Sequence, residues 1–70
     1  MSNTYTAVLK EEGPWWIGWI EEVPGVNCQG ATKDELIETL RETLLEALQA
    51  NREDARGAAG GSFQEEGIVV

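Results

Sequence analysis

The sequence predicts an α+β domain: a three-stranded antiparallel sheet with one amphipathic helix packed on one face, and room for a short fourth strand at the C-terminus (β-β-β-α-β). Three observations carry that prediction. Apolar residues alternate with a period of two before residue 23, a Pro24-Gly25 turn precedes a further short apolar stretch, and the leucines from Leu36 onward recur at three- and four-residue steps.

The first strand is placed at residues 4–11, where Tyr5, Ala7 and Leu9 share one face and Thr6, Val8 and Lys10 the other. Gly13-Pro14 ends it, since Gly tolerates unusual dihedrals and Pro lacks a ladder donor. The second strand, residues 15–22, is apolar on both sides: Trp16, Gly18 and Ile20 on one, Trp15, Ile17 and Trp19 on the other. One helix covers only one face of a sheet. Trp16 is therefore assigned to the core, and Trp15, Ile17 and Trp19 to an oligomer or partner interface, a small-ligand cage being the weaker use of the same rings.

Val23-Pro24-Gly25-Val26 suits a type II turn, with Pro presetting its dihedral and Gly accepting a positive φ. Type II turns fit tight hairpins poorly, so a wider connection is expected before a third strand at residues 26–29, closed by Gly30. Thr32-Lys33-Asp34-Glu35 is a capping box. The Thr32 hydroxyl accepts from the Glu35 amide and the Glu35 carboxylate reaches back to the Thr32 amide. Leu36, Ile37, Leu40, Leu44, Ala47 and Leu48 then form the stripe that packs on the sheet. The apolar period fades after Asn51, so the helix is expected to fray near Arg52 to Arg56. The chain divides into a domain at 1–56, a glycine-rich joint at 57–62, and a short strand or disordered tail at 63–70, with the β-branched run at 67–70 as the candidate fourth strand.

Seventy residues build one small core, and at this length a chain buries only roughly 60% of the surface that it exposes when unfolded. With one cysteine and no histidine, neither a disulfide nor a zinc site is available as a staple, so assembly into a dimer or tetramer is the expected way to complete the core. Thirteen acidic residues against five basic ones give a net charge of −8, which repels phosphate backbones and anionic lipid headgroups. Direct nucleic-acid binding and membrane association are therefore not expected. The absence of a basic, then apolar leader pattern makes a cytoplasmic protein with a reduced thiol the default reading.

A strand reading YTAVLK, a W-x-x-x-W-x-E-E strand, V-P-G-V, a short strand ending in Q-G-x-T and a K-D-E-L-I-E-T-L-R-E helix together resemble the HicB-like antitoxin family, from Thr4 to about Leu48. The resemblance implies a degenerate ribonuclease H-like fold without catalysis, acting through protein-protein interaction to neutralise HicA, a small basic toxin that cleaves messenger RNA. Many members also carry a C-terminal helix-turn-helix or ribbon-helix-helix segment. After Leu48 this chain offers a polar joint and a short apolar end, so operator binding is not expected of it.

Glu35, Glu38, Glu42 and Glu46 fall on one helical stripe opposite the leucines, and with Glu21 and Glu22 they form the candidate acidic, partner-facing strip. A solvated helix exterior accounts for the same residues without a partner. Leu45 borders the strip as a candidate apolar contact. Two-metal hydrolysis needs carboxylates converging from strand centres, and Ala7-Val8-Leu9 supplies none, so no catalytic residue, metal ligand or cofactor site is assigned. A degenerate hydrolase or small-ligand domain is the competing class.

Overall fold

A computed structural model describes residues 4–69. Three strands, β1 (Ala7–Glu12), β2 (Trp15–Ile20) and β3 (Asn27–Gly30), form an antiparallel sheet in the order β1-β2-β3, and a single helix, α1 (Lys33–Ala59), lies across one side. The α+β arrangement is the one predicted.

β1 and β2 join through a two-residue loop, Glu12 facing Trp15, with Gly13 at φ +60° in the first loop position, where type II′ hairpins place glycine. β1 begins later than its alternation suggests, because residues 4–6 are held differently. Glu21 N donates to the Thr6 carbonyl at 2.9 Å, while the Thr6 amide donates to a side chain. β2 stops at Ile20 instead of residue 22, as Glu21 and Glu22 enter the wide connection to β3. Within that connection Val26 N donates to the Val23 carbonyl at 3.5 Å and Gly25 sits at φ +92°, the dihedral that a type II turn demands at its third residue. Val23 and Val26 are both buried, so the loop is part of the core and Val26 precedes β3 instead of opening it.

Thr32 caps α1 from an extended conformation, its hydroxyl accepting from the Glu35 amide at 3.2 Å. The return bond differs from the expected capping box. The Glu35 carboxylate accepts from the Ala31 amide, at 3.2 Å, one residue earlier than Thr32. Leu36 and Leu40 are the most deeply buried side chains. They pack with Ile20, Val23 and Val26, and around them lie Tyr5, Leu9, Trp16, Cys28, Leu44, Ala47 and Leu48. Gly18 makes this contact possible: a Cβ there would lie 3.0 Å from the Val8 carbonyl oxygen and 3.1 Å from both Leu36 Cδ2 and Leu40 Cδ1. Leucines can therefore rest directly on the central strand. Leu36 sits beside Gly30 and Thr43 beside Cys28, whose thiol donates to the Thr43 hydroxyl at 3.5 Å, so α1 runs back antiparallel to β3.

The fraying expected at Arg52 to Arg56 does not occur. α1 continues to Ala59, which makes it about 40 Å long at ~1.5 Å per residue, and its second half extends past the sheet. Arg52 to Ala59 contains good helix formers, which need no apolar stripe to continue a helix already nucleated. A bond from the Gln49 amide nitrogen to Glu53, 3.1 Å, supports the exposed turn. Gly60, at φ +81°, ends the helix, its N–H donating to the Gly57 carbonyl. The glycine joint therefore starts at Gly60 in backbone terms. Among the described residues no strand follows it; Val70, the last residue of the candidate fourth strand, lies outside them.

Candidate functional site

The pairing register decides what accompanies the tryptophans. Directly opposed residues in antiparallel strands point to the same face. Trp15, Ile17 and Trp19 are joined by Glu12, Lys10 and Val8 from β1 and by Gln29 and Asn27 from β3. This is the face away from α1. Trp15 is 48% exposed and Trp19 37%, while Ile17 is half-buried between its neighbours. Lys10 and Glu12 pair at 3.3 Å on the same surface, so these two charges offset each other. A shallow depression between β2 and β3 is lined by Ile17, Gly18, Trp19, Asn27, Cys28 and Gln29. It is an apolar floor with two amide side chains at its rim.

The acidic strip lies on the opposite side of the molecule. Leu36 and Leu40 direct α1 onto the sheet, which turns the stripe of Glu38, Glu42 and Glu46 outward. These three are exposed and form no ion pair among the described residues. Because the helix does not fray, Glu53 continues the stripe two turns beyond Glu46, a residue that the fading apolar pattern hid. Glu35 stands at the head of the stripe but is occupied in the helix cap.

Glu21 and Glu22 are not part of this surface. They sit at the end of β2, and the Glu22 carboxylate accepts from the Thr6 amide at 2.8 Å, which holds its carboxyl below the ordinary glutamate value. Glu22 therefore ties Thr6 to the β2 end, where the Glu21 amide also donates to the Thr6 carbonyl.

Leu45 joins neither face. It is 62% exposed on the flank of α1, beside Tyr5, Leu44 and Leu48 and between Arg41 and Arg52. Arginines beside Leu45 were not singled out from sequence, since their convergence needs both the uninterrupted helix and the position of Tyr5.

Among the described residues no group of three or more His, Cys, Asp or Glu side chains converges in a way that could hold a metal ion. No helix among the described residues is long and apolar enough to cross a membrane. The chain matches no protein-family model, no curated protein and no solved structure.

Proposed function

We propose that this is a non-catalytic, HicB-like interaction module of the cytoplasm, which assembles with copies of itself as a dimer or tetramer and neutralises a small basic, messenger-RNA-cleaving toxin of the HicA type. The observation that carries the reading is the segregation of two unlike outer surfaces on one thin, two-layer domain. An aromatic sheet face on which Lys10 and Glu12 offset each other suits contact with a second copy, because two chains of charge −8 meet there with less repulsion than across the acidic helix. An outward acidic helix face suits a cationic protein, whose approach it accelerates and whose wrong partners it repels. The carboxylates are spread along a helix and a sheet end instead of converging on strand centres, which favours binding over hydrolysis.

Sedimentation equilibrium at micromolar concentration tests the first half. The expected result is a mass above one chain, with tryptophan fluorescence protected from acrylamide. A monomer with fully quenchable tryptophans defeats the self-assembly assignment. Stopped-flow mixing with a small basic ribonuclease toxin at two salt concentrations tests the second. Association should be fast and should slow with salt, and magnesium or manganese should act only as other salts of equal ionic strength do. A dependence of binding or activity on those ions beyond that of ionic strength would favour the hydrolase class instead.

A further inference from the structure

We infer that the flank of α1 around Leu45 is a groove for an acidic, apolar-ended peptide, and that its occupant is this chain's own segment 65–69. The inference uses the geometry of α1 and the residues that follow it, and does not depend on the toxin-binding reading.

The groove is a depression of about 310 Å³ lined by Tyr5, Leu44, Leu45 and Leu48, with Arg41 and Arg52 at its edges. Neither arginine has an ion-pair partner among the described residues, in a chain where acid exceeds base by eight charges. An exposed apolar floor between two uncompensated guanidinium groups fits a ligand that pairs carboxylates with aliphatic side chains. Residues 65–69 read Glu-Glu-Gly-Ile-Val, and their Ile68 and Val69 are 82% and 76% exposed.

The chain is already aimed at the groove. It reverses at Gly60, and Phe63, Gln64 and Glu65 lie against Arg52, Ala55, Arg56 and Ala59. The Arg56 Nε–H donates to the Glu65 carboxylate at 3.1 Å, which fixes the level at which the returning segment runs beside the helix. Arg52 borders both depressions, so the path between them is continuous. An extended chain advances ~3.3 Å per residue while a helix rises ~1.5 Å. Starting with Glu65 opposite Arg56, Ile68 then comes level with the turn between Arg52 and Leu48, and Val69 with Leu48. Docking would cover Leu45 with these two side chains and leave Glu65 and Glu66 beside Arg52 and Arg56. A partner that used Leu45 would have to displace this strap.

Methyl NMR on the full chain, with labelled and unlabelled molecules mixed, tests the assignment. Cross-peaks from the Ile68 and Val69 methyls to Leu45, Leu48 and the Tyr5 ring are expected within one molecule. In an Arg52→Glu/Arg56→Glu variant those cross-peaks should vanish and the tail methyls should move to random-coil shifts, while the Leu36 and Leu40 signals stay in place. Should that variant fail to fold, Leu45→Ser is the substitute, with the same expected loss. Random-coil tail shifts in the unaltered chain overturn the inference. So do cross-peaks found only between labelled and unlabelled copies, which would mean exchange between chains, or cross-peaks to the edge of β1, which would mean a fourth strand. Cross-peaks that survive the double arginine reversal overturn the charge complementarity on which the groove was assigned.

Discussion

The outward face of the sheet and the outward face of the helix are comparably open to solvent, yet only one of them is costly to leave open. Glu38, Glu42 and Glu46 are hydrated where they stand, and a charged helix exterior is the ordinary condition of a surface helix. Trp15 and Trp19 expose on the order of 200 Å² of largely apolar surface between them, corresponding to about 4–5 kcal/mol of unrealised burial at ~25 cal/mol per Å². Exposure is therefore informative about partners on the sheet side and nearly silent on the helix side. For the acidic face, kinetics and salt dependence are the discriminating measurements.

Both faces depend on the thin layer between them, so the largest effects come from breaking it. Leu40→Ala should destabilise the fold by about 2–5 kcal/mol, with tryptophan fluorescence and helical circular dichroism lost in a single denaturant transition. Separate transitions would mean that the two faces are not held by one core. Gly18→Ala should cost about 1–3 kcal/mol, because the added methyl meets the rigid Val8 carbonyl as well as two leucines. An unchanged denaturation midpoint would place α1 farther from β2 than it is here.

The next effects separate the faces. Trp19→Ala should shift assembly toward the monomer by roughly 2 kcal/mol, the scale of an aromatic interface anchor, as read by sedimentation. Reversing Glu38 and Glu42 to Lys should leave that equilibrium alone, slow association with a basic partner and flatten its salt dependence. If the charge reversals change assembly, or Trp19→Ala changes only the association rate, the division of labour is wrong. Thr32→Ala should cost roughly 0.5–2 kcal/mol, seen as a lower midpoint, since it removes the cap that starts the acidic helix.

The smallest effect is a pH dependence. Glu22 has a folded-state pKa below its ordinary value, so its contribution to stability is present above the ordinary glutamate range and is lost as the pH falls through the folded pKa. The Thr6 amide resonance should therefore titrate below that range, and Glu22→Gln should abolish the titration. A Thr6 amide that ignores pH would show that this carboxylate is not its acceptor.

Local chemistry was enough to read most of the fold from the chain. Period-two alternation, the Pro24-Gly25 turn, the Thr32 cap and the leucine stripe each depend on residues within one or two turns of one another, and each marks an element that forms, with strand ends shifted by up to three residues. The same alternation also identified Trp15, Ile17 and Trp19 as the face that α1 leaves open. The length of α1 is set by helix propensity and a glycine stop, which are local but which an apolar period does not report. Three matters required the third dimension. The roles of Glu22 and Glu35 are set by backbone amides that the turns bring near them. The company of the tryptophans, Lys10 and Glu12 from one strand and Asn27 and Gln29 from another, is set by register. Last, the sequence groups Leu45 with the tryptophans as apolar contacts and Glu21 and Glu22 with the helix acids. Only the stacking of one helix on one side of the sheet sends the tryptophans and the acidic stripe to opposite surfaces, because a side chain's direction is local while its neighbours across layers are not.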